Sequence, residues 1–349
     1  MYKIFAAYIA VFTVSFWGVE LFRRWSLKRE LLDVPNERSS HSVPTPRGGG
    51  LIICVVSIVT FLIYSLVSGG NFYWSYFVGA IIVAAISLID DVRTISPFLR
   101  ILFHGLAAGI VVWSLGGFRE ILIPFYGIVE FGIWGNITAF LWIVWLINAY
   151  NFMDGIDGIA ATQAVSAGIG WSLVGLISGI EDIGFYGGVL ALSSFGFLLL
   201  NRQPAKIFMG DVGSAFLGYS FAVLPLFAVK STGNPVFGAM LPWIALFLVW
   251  FFVFDSVFTF LKRLFRGEKV WQAHREHIYQ KMVISGLSHS TVTGLYGSAS
   301  AILVLALVLT IGYSMNFEKT VFGVIFFETV LLIFIWQKAG GSSRKTHQA

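Results

Sequence analysis

The sequence predicts an all-α, polytopic integral membrane protein, a helical bundle of about eleven transmembrane helices. Three observations predict it. Apolar residues make up 57% of the 349-residue chain and charged residues only 12%, about half the roughly 25% of a soluble domain. Mean hydropathy is +0.82. Aromatic residues reach 17%, with 34 Phe and 12 Trp, which suits lipid-facing helices and interfacial belts. A soluble core of this length would need far more polar surface. The net charge of +5 raises nucleic acid as a partner. The basic residues fall in loops between apolar runs, however, so they read as topology signals and as contacts for anionic lipid or phosphate. No nucleic acid is expected. Cys54, the one cysteine, lies in an apolar run and rules out an intramolecular disulfide.

Runs near the twenty residues that a bilayer requires fall at about 3–22, 49–68, 72–89, 99–116, 133–147, 159–180, 185–200, 213–230, 236–257, 291–312 and 319–337. The fifth and seventh are short. The first reads as a span rather than a cleaved signal, because Lys3 is its one upstream charge and no clear Ala-x-Ala site follows. Loops 23–48, 90–100, 201–212 and 258–290, with the tail from 338, hold 19 of the 23 Lys and Arg. The positive-inside rule then places the N-terminus outside and the C-terminus in the cytoplasm, which an odd number of spans satisfies. No internal repeat is visible, so residues 1–349 read as one domain.

Nearly all the chemically interesting residues fall on the cytoplasmic side. The most informative stretch is Asn148-Ala149-Tyr150-Asn151-Phe152-Met153-Asp154-Gly155-Ile156-Asp157-Gly158, directly after the fifth apolar run. On a helix, Asn148, Asn151 and Asp154 share one face, with Asp157 close by. Acids there are costly, since a helix end meeting water usually carries Lys, Arg, Trp or Tyr. Their oxygens suit a hard cation such as Mg²⁺.

The first loop carries Arg38, His41 and Arg47, then Gly48-Gly49-Gly50 opening the second span. Amides at a glycine-rich helix start can hold phosphate, with Arg38 and Arg47 adding charge. Asp90-Asp91 ends the third span, where acids oppose the helix dipole. The pair can bind Mg²⁺, or one member can act as a base. Thr94 stands where the aspartate-rich motif of prenyl synthases needs a further acid. Lys206 precedes Gly210-Asp211-Val212-Gly213-Ser214, in which Asp211 reads equally as a helix N-cap or a metal ligand. In the last cytoplasmic loop, His274, Arg275 and His277 suit a phosphate or sugar. Zinc is disfavoured there, with no Cys or third His at ligand spacing. Asp255, near the cytoplasmic end of the ninth span, needs a partner or a wet cavity.

Together these segments resemble a known family. Asp33-x-Pro35-Asn36-x-Arg38-Ser39-x-His41 with Pro44-Thr45-Pro46-Arg47-Gly48-Gly49-Gly50, then Asp90-Asp91, the Asn148–Gly158 motif and Gly210-Asp211-x-Gly213-Ser214 look like the polyprenyl-phosphate N-acetylhexosamine-1-phosphate transferases. That superfamily, glycosyltransferase family 4, also holds the phospho-N-acetylmuramoyl-pentapeptide transferases. The resemblance runs from about residue 33 to 285, with the motifs in the same order and on one membrane side.

The resemblance implies a multi-pass enzyme of the bacterial inner membrane. It would transfer an N-acetylated amino-sugar 1-phosphate from a UDP-sugar to undecaprenyl phosphate and release UMP. Mg²⁺ would be the cofactor, with Mn²⁺ as a substitute, and a homodimer is compatible. Asp90 and Asp91 would activate the lipid phosphate. Asp211, Asp154 and Asp157 would hold metal. Asn148, Asn151, Arg38, His41, Arg47, Lys206, His274, Arg275 and His277 would contact the substrates. The muramoyl-pentapeptide branch has three adjacent histidines where this chain has His274-Arg275-Glu276-His277. That difference points instead to the initiation of O-antigen or another surface polysaccharide, with a UDP-N-acetylhexosamine or UDP-N-acetyl-6-deoxyhexosamine as donor. A muramoyl-pentapeptide transferase is the alternative within the family. A lipid-linked sugar flippase is the alternative outside it, but would place charges near the midplane and show repeats. The one-sided acids favour an enzyme.

Overall fold

The computed structural model describes residues 2–35, 43–69, 71–269 and 274–346. Thirteen helices and two small hairpins are found among them. The helices are α1 Tyr2–Lys28, α2 Gly50–Val67, α3 Trp74–Val92, α4 Pro97–Leu115, α5 Ile133–Met153, α6 Ile159–Ser178, α7 Glu181–Asn201, α8 Asp211–Ser231, α9 Pro235–Leu248, α10 Trp250–Phe265, α11 Ile278–Ile284, α12 His289–Gly312 and α13 Phe317–Thr346. Strands β1 Leu32–Asp33 and β2 Thr45–Pro46 pair antiparallel, as do β3 Glu120–Ile123 and β4 Gly127–Glu130. Ten helices are long and apolar enough to cross a membrane, or eleven spans if the bent pair α9–α10 counts as one.

Local chemistry sets several boundaries. Ser96 caps α4 by accepting from Leu99 N, with Pro97 in the first turn. Asn234 caps α9 in the same way ahead of Pro235, and Ser288 caps α12 through Thr291 N. The expected spans at 133–147 and 185–200 are each a full 21-residue helix, long enough to cross.

The expected ninth span at 236–257 is where sequence and structure differ. The chain breaks at Val249 and turns by 74° between α9 and α10. A break frees a backbone carbonyl, which must find a donor in an apolar surround. Gln163 of α6 supplies it, donating to Leu248 O at 2.7 Å, and Ser300 of α12 donates to the Gln163 amide oxygen at 2.8 Å. Beyond the break, α10 places Asp255, Thr259 and Arg263 one helical turn apart along one buried face.

Helix α8 is the core. Of its best apolar window, 94% is buried, so it contacts protein on every side. Tyr76 pairs with Ser220 at 2.9 Å, Tyr219 Oη donates to Tyr76 O at 3.0 Å, and Trp142 Nε1 donates to Ala222 O at 3.1 Å. Helices α2 and α8 nearly touch: a Cβ on Gly50 would collide with Gly213 Cα. The amides of Gly48 and Gly49 donate to Phe208 O at 3.1 and 2.9 Å, and that of Gly50 to Met209 O at 2.8 Å. These three amides therefore bind the loop before α8 instead of standing open as a phosphate cradle. Tyr64–Asp182, Tyr73–Ser231 and Trp243–Leu122 contacts tie the far end of the bundle.

Replacing Gly50 with Ala should splay α2 from α8. Overpacking of this kind costs about 1–3 kcal/mol. The expected outcome is a lower apparent melting temperature in detergent for Gly50→Ala and none for Gly109→Ala, where a Cβ meets open space. Equal melting of both variants would refute the close contact.

Candidate active site

Five connections meet at one end of the bundle: those before α2, after α3, between α5 and α6, before α8 and before α11. Their side chains form three linked groups.

The first surrounds Asp211 at the start of α8. Asp91 accepts from Asp211 N at 3.0 Å and Val212 N at 3.1 Å, so it caps α8 from another helix. The same carboxylate accepts from Arg47 Nε at 2.9 Å and pairs closely with Arg47 Nη2. Asp90 accepts from Ile95 N at 2.9 Å and from Arg100 Nη1 at 2.7 Å. Each guanidinium also reaches the Asp211 carboxylate, Arg47 at 3.9 Å and Arg100 at 3.5 Å. Asp211 thus lies between two arginines, each held by one member of the aspartate pair. Gly210 permits this packing. Its φ is +78°, and a Cβ there would lie 2.9 Å from Asp91 Oδ2.

The second group is the α5–α6 turn. Asn151 Nδ2 donates to Ser214 Oγ of α8 at 3.2 Å. Asn148 Nδ2 donates to Val144 O at 2.7 Å and lies 3.3 Å from His104 Nδ1 of α4. Burial, and then the neighbouring Asp211 and Asp91 carboxylates, push the Asp154 carboxyl well above its usual range. Asp157 is engaged differently. It accepts from Ala205 N at 3.2 Å and lies 3.4 Å from His289 Nδ1 of α12. Gly158 N donates to Asn201 Oδ1 at 3.0 Å, and Asn201 Nδ2 donates to Ile207 O at 2.8 Å. Asp157 and Asn201 therefore stitch this turn to the loop before α8.

The third group is the histidine segment. Asp255 is fully buried and accepts from Ile278 N at 2.8 Å, Tyr279 N at 3.2 Å, Tyr296 Oη at 2.9 Å and Thr259 Oγ1 at 3.2 Å. His277 Nδ1 lies 3.1 Å from it, and Tyr279 Oη donates to Phe152 O at 3.0 Å. The His274 and His277 rings lie 4.9 Å apart. Burial, then His277, push His274 down to about 4, so at neutral pH it is an uncharged hydrogen-bonding group.

A groove of about 750 Å³ runs from Thr138 and Leu141 of α5, past Trp142, Trp145 and Phe260, to Asn148, His274 and His277. Its walls are apolar and its end at the site is polar.

The structure brings Arg47, Asp90, Asp91, Asn148, Asn151, Asp154, Asp157 and Asp211 to one region, with His274 and His277 at the groove end. Arg275 belongs to the same histidine segment, and Lys206 is exposed in the loop before α8. Arg38 and His41 lie outside the described residues. Sequence reasoning missed Arg100, His104, Asn201 and His289. Arg100 had a signal: a cation in the first turn of a helix opposes the dipole and needs an acidic partner.

The glycosyl transferase family 4 model matches residues 73–229. Over that stretch the chain resembles this family. It is 29% identical over 346 residues to a Bacillus subtilis protein described as "Probable undecaprenyl-phosphate N-acetylglucosaminyl 1-phosphate transferase", covering 96% of this chain and 91% of that one. It is 28% identical over 312 residues to the decaprenyl-phosphate N-acetylglucosaminephosphotransferase of Mycobacterium leprae, covering 82% and 77%. It is 29% identical over 244 residues to a phospho-N-acetylmuramoyl-pentapeptide-transferase of Listeria monocytogenes, covering 65% and 75%.

Asp255→Asn puts an amide donor where backbone and hydroxyl donors converge. Each unsatisfied buried group costs about 1–3 kcal/mol. The variant should lose hydrogen-exchange protection at the Ile278 and Tyr279 amides and melt earlier, whereas His277→Ala should keep most of that protection. Wild-type protection in Asp255→Asn would overturn the anchoring role.

Proposed function

We propose that the protein transfers an N-acetylated amino-sugar 1-phosphate from a UDP-sugar to undecaprenyl phosphate, releasing UMP, on the cytoplasmic face of a bacterial inner membrane. The observation that carries this reading is Asp211, held between Arg47 and Arg100, with an apolar groove whose polar end at Asn148 lies one turn of α5 from Asn151, the residue bonded to Ser214 of α8. Phosphoryl transfer between two polyanions is mostly positioning and charge stabilisation, and this site supplies both. The lipid phosphate oxygen forms the new bond to the sugar-bearing phosphorus, and the bond to UMP breaks. That phosphate is already largely ionised near neutral pH, so orientation suffices without a strong base.

The donor set fits a divalent cation. Asp90, Asp91, Asp154 and Asp211 outnumber the two guanidiniums, and burial among the other acids holds the Asp154 carboxyl above its usual range, an imbalance that a bound Mg²⁺ or Mn²⁺ would offset. Among the described residues no three acidic, His or Cys side chains could hold an ion by themselves. Mg²⁺ commonly takes one or two carboxylates and completes its shell with water and substrate phosphates. Asp211 and Asp154 would hold it, with Asp157 supporting the turn. When bound, Mg²⁺ would screen the phosphates and polarise the breaking bond. Asp90 and Asp91 would set Arg100 and Arg47 toward the lipid phosphate, Asn148 and Asn151 would line the nucleotide side, and neutral His274 would hydrogen-bond diphosphate or sugar. The groove would take the first isoprene units of the carrier.

For the donor, the Bacillus and Mycobacterium relatives named for N-acetylglucosamine cover more of this chain than the muramoyl-pentapeptide relative. UDP-N-acetylglucosamine is therefore the first donor to test and its 6-deoxy analogues the second, with surface-polysaccharide initiation such as O-antigen as the role.

Purified protein given undecaprenyl phosphate, Mg²⁺ and a panel of UDP-sugars should release UMP with one donor. Loss of a catalytic metal contact costs several kcal/mol, so Asp211→Asn should retain under about a tenth of that rate while melting normally. No UMP from any donor would refute the reaction. Full activity of Asp211→Asn would refute the assignment of the metal site.

A further inference from the structure

A second charged feature lies away from the acids, on the opposite face of α10 from the groove. Lys262, in the last turn of α10, places its ammonium 5.1 Å from the ring centre of Trp336 on α13. Lys281, in the last turn of α11, places its own 6.0 Å from the same ring. Phe258 meets that ring edge-on, with centroids 6.0 Å apart. Lys281 and Arg266 share Glu276, at 3.5 and 3.1 Å, while Arg263 pairs with Glu268 at 2.9 Å. Lys262 forms no ion pair among the described residues. Leaving out Arg263, which lines the groove on the other face, Lys262, Lys281 and Arg266 still outnumber the two acids. Two ammonium groups over one indole repel each other, and an anion between them would relieve the repulsion.

Below this cluster lies a pocket of about 400 Å³ between α12 and α13. Leu295 and Ile302 of α12, with Phe327, Leu331 and Ile335 of α13, are among its lining. The lining of α13 ends at Ile335, the residue beside Trp336. Glu328 also borders it, but eight residues from Trp336, about 12 Å along the helix, and so away from the cluster. Cations at the ends of α10 and α11, with a tryptophan where the apolar stretch of α13 ends, above an apolar slot, match the headgroup and chain of one lipid.

We propose that α10, α11 and α13 bind one anionic phospholipid of the surrounding leaflet. Its phosphate sits between Lys262 and Lys281 beside Trp336, and one acyl chain fills the slot between α12 and α13. This site is separate from the groove assigned to the carrier. It would brace α10 and α11, the two helices that frame His277.

Native mass spectrometry of the detergent-purified full chain tests this. The protein is mixed with phosphatidylglycerol and phosphatidylcholine of identical chains, in parallel with glycerol 3-phosphate and with undecaprenyl phosphate as competitor. Wild type should retain phosphatidylglycerol over phosphatidylcholine. Lys262→Gln with Lys281→Gln should reduce that retention roughly thirtyfold, as loss of two basic contacts implies. Lys262→Arg with Lys281→Arg should keep it, which separates charge from misfolding. If the Gln pair does not fold, each single Gln variant should still lose retention measurably. Equal retention of both phospholipids, or undiminished binding in the Gln variants, overturns the proposal. Equally strong binding of glycerol 3-phosphate would make this a phosphate site without a lipid slot. Displacement by substoichiometric undecaprenyl phosphate would assign it to the carrier. Either result also overturns it.

Discussion

The Asp91 carboxylate accepts the first two amides of α8 and holds the Arg47 guanidinium, joining the end of α3, the start of α8 and the entry to α2. Most of the site's geometry follows from that one group. Arg47 is continuous with Gly48, Gly49 and Gly50, whose amides bind the carbonyls of Phe208 and Met209. The loop before α8 is therefore gripped from both sides. Asp211 has little freedom to move, and Arg100, held by Asp90, approaches it from the other flank. A cluster of like charges is tolerated because its countercharges are fixed in place and need no reorganisation on ligand binding.

A second buried acid does the same work for the histidine segment. Asp255 lies on a helix that would be a poor membrane span, since Asp255, Thr259 and Arg263 share a face. The break at Val249 explains how such a helix is accommodated. It turns α10 by 74° away from α9, so that the polar face meets α11 and α12 instead of lipid. Gln163 meets the carbonyl left behind. The break, the buried acid and the histidines thus form one arrangement.

The apolar runs made the helical class and nearly every span legible, because burial in lipid imposes length and composition directly. The kink at Val249 was not legible: no Gly or Pro marks it, and its compensating donor, Gln163, lies far away in sequence. The site was legible as residue types but not as partnerships. Asp90, Asp91 and Asp211 stood out as acids at helix ends, whereas their pairing with Arg47 and Arg100 depends on how α2, α3, α4 and α8 meet. Asp154 and Asp157 looked alike in sequence, three residues apart. The structure separates them, with Asp154 facing the other acids and Asp157 tied to Ala205 and His289. The glycine triplet misled for a related reason. A glycine-rich helix start exposes amides, but whether a phosphate or another loop takes them is a tertiary matter.

The start of α8 carries this point further. A helix N-terminus attracts anions through its free amides and its dipole. Here that position is already taken, since Asp91 accepts from Asp211 N and Val212 N. A substrate phosphate cannot use those amides without displacing Asp91. The helix dipole instead stabilises carboxylates, both Asp91 and Asp211 in the first turn. The anion-binding end of the helix has become a concentrated patch of negative charge, flanked by two guanidiniums. Such a patch repels a bare diphosphate. On the proposed reaction it would attract a diphosphate that arrives with a divalent cation, with Arg47 and Arg100 on either side to take the oxygens the cation leaves free. Discrimination between free and metal-bound nucleotide would then rest on the choice of aspartate, rather than phosphate, as the ligand of α8.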